Sequence, residues 1–191
     1  MVKENKRNLI LNALETLLPG KRFHEITLDE VAKSAQVGKG TIYLYFKDKD
    51  SLFAELVCYR LEILSDELVK LENCGKDDLP EKVFELVGGF IRKHRSGFGA
   101  VGDVAACISR MNSEQHKRMQ EKGNEVVNTL SGVMQKAYPD WSSSDAAFHA
   151  QILLWLIDGY MRSESGNVSV LPDVDKLMDF YRYGINAQKR Q

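Results

Sequence analysis

The chain has 191 residues, of which 43% are hydrophobic and 28% charged, with only four prolines. This balance allows a buried core and excludes a disordered chain. The formal net charge is −1, so any surface that binds nucleic acid must be local. The three cysteines lack CxxC spacing, which argues against a disulfide scaffold or a zinc module. No apolar run approaches the ~20 residues of a membrane span. We therefore expect a cytoplasmic protein that needs no metal and no cofactor.

Hydrophobic residues recur at helical spacing along almost the whole chain, and no alternating strand pattern competes with them. Pro19 and Gly20 end the first helix, while Thr27 and Glu30 have the spacing of a capping box at the start of the second. The fold class is therefore predicted as all-α. The predicted helices cover residues 9–18, 27–35, 38–46, 50–71, 80–91, a short segment before 111, 113–138, 143–162 and 173–185.

The second and third helices are short and joined by a tight turn, which is the spacing of a helix-turn-helix motif. The stretch "VGKGTIYLYFKDKDSL", residues 37–52, begins the third helix. A helix N-terminus offers free backbone N–H groups, and glycines there allow the backbone to approach DNA closely. The stretch also supplies lysines and hydroxyl groups for phosphate oxygens and base edges. Residue types alone leave an ordinary turn as an equal alternative.

A longer pattern decides between these two interpretations. The sequence "TLDEVAKSAQVGKGTIYLYFKDKDSL" resembles the DNA-binding domain of the TetR family of transcriptional regulators, with residues 9–53 contributing to the match. Two positions depart from the family pattern. Gln36 stands where glycine is usual, and Gly38 stands where serine often caps the recognition helix. Glycine is a tolerated N-cap, so we expect that helix to form.

The resemblance implies an architecture and a function. Residues 1–50 would form a three-helix helix-turn-helix domain, and residues 51–191 a helical bundle for effector binding and dimerisation. The protein would be a homodimeric repressor that binds a palindromic operator and is released by a small-molecule effector. Lys39 is predicted to contact a base, and Tyr43, Tyr45 and Lys49 to contact phosphates. The full set of DNA-facing residues implied by position is Thr27, Gly38, Lys39, Gly40, Thr41, Tyr43, Tyr45 and Lys49.

The later helices suggest a dimer interface and an effector pocket. The helix over residues 145–162 is apolar on nearly all sides, so one side would meet a second subunit unless it completes the monomer core. The family's last two long helices usually form such an interface. The predicted interface residues are Phe148, Ile152, Trp155, Leu156, Leu177, Phe180 and Tyr181. Candidate pocket residues, for which core packing is the competing explanation, are Phe84, Phe90, Phe98, Met111, Met119 and Met134.

Two alternative functions remain open from sequence. A helical enzyme or small-molecule carrier would need a catalytic or ligand cluster, and no nucleophile elbow, HExxH motif or P-loop is present. A DNA-binding activator that needs no ligand would have the same helix-turn-helix motif. The operator, the regulated genes, the effector and the sign of regulation are not encoded in any motif.

Overall fold

In the computed structural model, residues 5–95, 108–165 and 173–187 are described, and all regular structure in these ranges is helical. The predicted all-α class is therefore confirmed. Two 3-10 turns, Leu18–Gly20 and Phe23–Glu25, separate the first two α-helices. None of the described helices is long and apolar enough to span a membrane. The helices are α1 Lys6–Leu17, α2 Leu28–Ser34, α3 Lys39–Tyr45, α4 Lys49–Val69, α5 Leu79–Arg95, α6 Ser113–Ala137, α7 Ser143–Ser165 and α8 Val174–Ala187.

The chain divides into two compact units by its internal contacts. The first unit comprises residues 1–62 and 93–123, and the second comprises residues 63–92 and 124–191. Helices α4, α5 and α6 each contribute residues to both units. The predicted functional boundary after residue 50 falls at the start of α4 rather than at this structural division, and it stays a prediction.

The core of the first unit joins the helix-turn-helix motif to its supporting helices. Ile10 and Leu14 of α1, Ile42 of α3 and Phe53 of α4 are all fully buried in it. The rings of Phe23 and Phe53 pack with centroids 5.0 Å apart. Burying a side chain of this size contributes about 1.5–3 kcal/mol, so this core holds the short helices in place.

The second unit is held together by apolar packing between α5, α6, α7 and α8. Gly88 of α5 lies against the buried Met161 of α7, and a Cβ at Gly88 would come within 3.0 Å of the Met161 Cε atom. A glycine inside a helix costs roughly 1 kcal/mol relative to alanine, and an alanine at residue 88 would require the Met161 methyl group to move by a few tenths of an ångström. On the surface, Arg92 of α5 donates two hydrogen bonds of 3.1 and 3.0 Å to Glu164 of α7.

A stack of aromatic rings connects α6, α7 and α8 within the second unit. Trp141 lies parallel to Tyr138 at 4.0 Å between ring centroids, and to His149 at 4.3 Å. Tyr138 donates a hydrogen bond of 2.6 Å to the Lys76 carbonyl, and burial raises the pKa of this tyrosine to about 12. The stack therefore joins the loop after α4 to the packing of the last three helices.

Candidate nucleic-acid interface

The N-terminus of α2 is fixed by the predicted capping box. The Thr27 hydroxyl accepts a hydrogen bond of 3.2 Å from the Glu30 N–H, and the Thr27 N–H donates one of 2.8 Å to the Glu30 carboxylate. Hydrogen bonds from Lys21 and Thr27 lower the pKa of the Glu30 carboxyl to about 2. Thr27 therefore has a structural role at the start of α2, and its predicted phosphate contact would use a hydroxyl that also caps the helix.

The turn between α2 and α3 is a Schellman motif centred on Gln36. The Gln36 N–H donates to the Lys33 carbonyl at 3.2 Å, and the Val37 N–H donates to the Ala32 carbonyl at 3.0 Å. Gln36 has a φ of 55°, in the left-handed region. A glycine adopts this conformation without the cost that a Cβ adds, about 1–2 kcal/mol. The sequence departure at residue 36 thus falls at the one strained backbone position among the described residues.

The two glycines at the start of α3 leave open space. Gly38 is the N-cap and has an ordinary extended conformation, with φ −70° and ψ 147°. Within the described residues, the nearest atom to a Cβ at Gly38 would be Thr41 Oγ1 at 3.9 Å, and a Cβ at Gly40 would meet nothing within 4 Å. Neither the backbone conformation nor the described packing requires glycine here. The open space is available to a partner.

Helix α3 is buried on one side and exposed on the other. Ile42 and Phe46 are 0% and 2% exposed, so they anchor the helix as its sequence predicts. Tyr43 and Tyr45 are 52% and 44% exposed, so both belong to the exposed side of α3. Leu44, which sequence reasoning did not select, is 83% exposed. Leu44 lies two residues from each of the buried residues Ile42 and Phe46. Residues two apart on a helix face different sides, so this spacing predicts that Leu44 points away from the core.

Lysines lie at both ends of α3. At the first helical residue, Lys39 Nζ lies 2.8 Å from a carboxylate oxygen of Asp29 in α2, and this hydrogen-bonded partner raises the pKa of the lysine. Beyond the other end, Lys47 is exposed, while Lys49 is half-buried with its Nζ 4.5 Å from the centroid of the Phe23 ring. Of the predicted DNA-facing residues, Lys39, Tyr43 and Tyr45 thus belong to α3, and Lys49 is the first residue of α4.

A second exposed surface lies on the last two helices, and we call it the α7–α8 apolar face. Phe148, Trp155 and Phe180 are 56%, 64% and 71% exposed, and Tyr183, three residues after Phe180, is 74% exposed. Predicted residues Ile152, Leu156 and Leu177 are half-buried. A groove of about 200 Å³ is lined by Phe148, His149, Ile152, Leu156, Phe180, Tyr181 and Gly184.

One member of the predicted interface is a core residue of the second unit. Tyr181 is only 4% exposed, and its hydroxyl donates a hydrogen bond of 3.0 Å to the His149 carbonyl. Burial raises the pKa of the Tyr181 phenol. Helical spacing assigned Tyr181 to the same broad apolar face as Phe180, but adjacent helical residues point about 100° apart. Only Phe180 is strongly exposed.

The predicted pocket residues are divided between the two units. Met111 is buried in the core of the first unit, and Met119 packs against it. Phe84 and Met134 are buried in the second unit, where the Phe84 ring meets Tyr160 at 5.3 Å. Phe90 is half-buried, and Phe98 lies outside the described residues. Individually these side chains pack like core residues, and their joint role as a pocket stays a prediction.

The geometry of α2 and α3 defines a class of protein. A capped helix, a tight turn and a short helix with an exposed polar side form a helix-turn-helix DNA-binding motif. Within the described ranges, no group of three or more His, Cys, Asp or Glu side chains is placed to hold a metal ion. The fold and this surface are those of a helical DNA-binding regulator.

The N-terminal region of the chain is a DNA-binding domain of the TetR family of bacterial transcriptional regulators. Residues 10–56 match the family model described as bacterial regulatory proteins, tetR family. The fatty acid metabolism regulator protein of Bacillus subtilis is 26% identical over 138 residues, which cover 69% of this chain and 68% of that protein. The regulator EthR of Mycolicibacterium smegmatis is 30% identical over 144 residues, covering 75% of this chain and 59% of EthR.

A solved structure supports the same fold over nearly the full length. FadR from Bacillus subtilis, in complex with stearoyl-CoA, superposes with a TM-score of 0.63 over 91% of this chain and 96% of that chain, at 17% identity. At this identity the likeness establishes the fold alone. The helical region that follows the DNA-binding motif therefore shares the fold of TetR-family structures.

The strained turn yields a stability prediction. Gln36→Gly is expected to raise the free energy of unfolding by about 1 kcal/mol, because it removes the Cβ from a left-handed residue while adding some unfolded-state freedom. Chemical denaturation measures the change. Gln36→Ala keeps the Cβ and should change stability by less than ~0.5 kcal/mol. Equal stabilities of the two variants would contradict the strain at residue 36.

Proposed function

We propose that the protein is a homodimeric, ligand-responsive repressor that binds a palindromic operator through α3. The observation that supports the proposal is the start and outward side of α3, where open glycine positions, exposed tyrosines and lysines occur together. This composition suits a duplex, since amides, hydroxyls and ammonium groups all donate to phosphate oxygens. The proposal assigns the protein no catalytic centre and places it in the cytoplasm, where its DNA would be.

The roles of the side chains follow from where α3 presents them. Lys39, at the N-terminus of the helix, is assigned to a base edge, because a recognition helix enters the major groove with its first residues. Tyr43, Tyr45 and Lys49 are assigned to phosphates on the flanks. Leu44 is added to this surface, because an apolar side chain that is 83% exposed beside the hydroxyls can contact a thymine methyl or a sugar.

A second copy of the chain is proposed to cover the α7–α8 apolar face. Phe148 and Phe180, both more than half exposed, line a groove, and the exposed Trp155 follows Phe148 by seven residues, or two turns, on α7. An apolar surface of this kind differs from singly scattered apolar residues and marks an interaction site. A two-fold axis would place Phe180 or Phe148 of each subunit against the groove of the other. Dimerisation would also present α3 twice, which a palindromic operator requires.

The effector is proposed to carry a long apolar chain. Support comes from the matched relatives, because one is named for fatty acid metabolism and a structural neighbour holds stearoyl-CoA. An acyl-CoA is therefore the first compound to test. Its binding would favour dimers whose two α3 helices no longer match successive major grooves ~34 Å apart, so the population bound to operator would fall.

The DNA-binding assignment predicts different effects for two lysines. Lys39→Ala should lose ~1–3 kcal/mol of preference at one base pair, whereas Lys49→Ala should weaken all duplexes and reduce the salt slope by about 1. Site selection from random DNA, followed by titrations at several salt concentrations, measures both. Lys82→Ala on α5 removes the same charge from an exposed position and serves as the control. Unchanged binding by both test variants would reject α3 as the reading helix.

The dimer assignment predicts that a polar residue on the α7–α8 apolar face separates the subunits. Trp155→Ser and Phe180→Ser should shift sedimentation from dimer to monomer at micromolar concentration without loss of helicity. Val69→Ser is the matched control, since Val69 is also exposed, at 47%, but lies on α4. A wild-type monomer, or test variants that remain as dimeric as the control, would overturn the assignment.

The effector assignment predicts release of operator by an acyl-CoA. Stearoyl-CoA added to the complex should lower operator affinity at least tenfold, and it should raise the melting temperature of the free protein through preferential binding to the native state. Free CoA is the control for the head group. If DNA binding withstands stearoyl-CoA and no stabilisation occurs, the effector class is wrong, while the operator assignment stands.

A further inference from the structure

The ion pair between Asp29 and Lys39 lies across the turn of the helix-turn-helix motif. The Lys39 ammonium is 2.8 Å from one Asp29 carboxylate oxygen and 2.9 Å from the other. Both side chains are more than half exposed, at 66% for Asp29 and 52% for Lys39. An exposed pair of this kind contributes little to stability, typically below about 1 kcal/mol. The position of this ion pair at the N-terminus of α3 therefore indicates a role other than stabilising the fold.

Neighbouring acidic side chains have structural reasons to be present, as a comparison shows. Glu30 accepts the Thr27 N–H in the capping box of α2, and Asp48 accepts the Ser51 N–H at 2.7 Å at the start of α4. Asp29, one residue before Glu30, makes its described side-chain contact with Lys39 instead. A carboxylate in this place repels phosphates, so it lowers the affinity of the protein for any DNA duplex. A hydrogen bond from a donor group on a base can offset this loss.

We propose that Asp29 is a specificity-determining residue that reads one G·C base pair jointly with Lys39. This inference rests on the proposed operator binding by α3. In the major groove, guanine presents the O6 and N7 acceptors, and its cytosine partner presents the N4 amino donor. Lys39 supplies donors for the guanine, and Asp29 accepts from the cytosine. The two side chains, already side by side in the free protein, match the acceptor and donor edges of a single pair.

Asp29 has a second effect on the same lysine. While the carboxylate holds the ammonium, Lys39 is less available to phosphates of unrelated sequences. Asp29 thus weakens binding to non-specific DNA. At the correct base pair its hydrogen bond to the base restores the lost affinity, so the ratio of specific to non-specific affinity increases.

The test uses Asp29→Ala and Asp29→Asn in the full-length protein, with the selected operator and versions changed at each base pair. Both variants should lose preference for one G·C pair by about 5- to 150-fold, the range of a good base contact. Affinity for an unrelated duplex should rise, and its salt slope should steepen by about 0.9, as one more lysine meets a phosphate. Asp66→Asn, an equal charge change on an exposed part of α4, is the control.

The outcomes separate this inference from the proposed function. If the wild type selects an operator and Lys39→Ala relaxes one G·C pair, while the Asp29 variants match Asp66→Asn, then Asp29 only stabilises the first turn of α2 and the inference is overturned. If the wild type selects no DNA at all, the proposed function itself fails. The variant Lys39→Ala with Asp29→Ala should show non-additive losses at the same base pair, since both residues read it. Additive losses at different base pairs would also overturn the joint reading.

Discussion

The burial of Ile42 and Phe46 is the constraint on which the DNA-binding surface depends. Helix α3 has seven residues, far fewer than the ~12–15 that an isolated helix needs in water. It therefore exists only because these two side chains enter the core of the first unit, at 0% and 2% exposure. The same anchoring decides which residues face outward. A change that moved either anchor would shift Lys39, Tyr43 and Leu44 together, because a short helix rotates as one body.

Local sequence signals predicted the parts of the fold that local chemistry controls. The capping box at Thr27 and Glu30 is formed as its spacing requires, and the all-α class is confirmed. The family resemblance showed that residue 36 departs from the usual glycine. The physical reason for that glycine is apparent only from the backbone conformation. The usual glycine serves a left-handed residue that closes a Schellman turn, and glutamine adopts the same φ of 55° at a cost.

Features that depend on contacts between distant residues were not predictable in this way. The ion pair between Asp29 and Lys39 joins residues ten positions apart across a turn, and no periodicity signals it. Tyr181 was assigned to the same broad helical face as Phe180, whereas its hydroxyl donates a hydrogen bond to the His149 carbonyl inside the second unit. The candidate pocket residues were chosen for their apolar type, and type alone does not show that Met111 belongs to the core of the first unit.

The two tryptophans of the chain lie in opposite environments. Trp141 is 8% exposed and stacked between Tyr138 and His149, whereas Trp155 is 64% exposed on the α7–α8 apolar face. Water shifts the emission of an exposed indole to longer wavelength than that of a buried one. A second subunit placed over Trp155 would therefore shift this emission to shorter wavelength, which gives the chain an optical reporter of the proposed assembly without any added label.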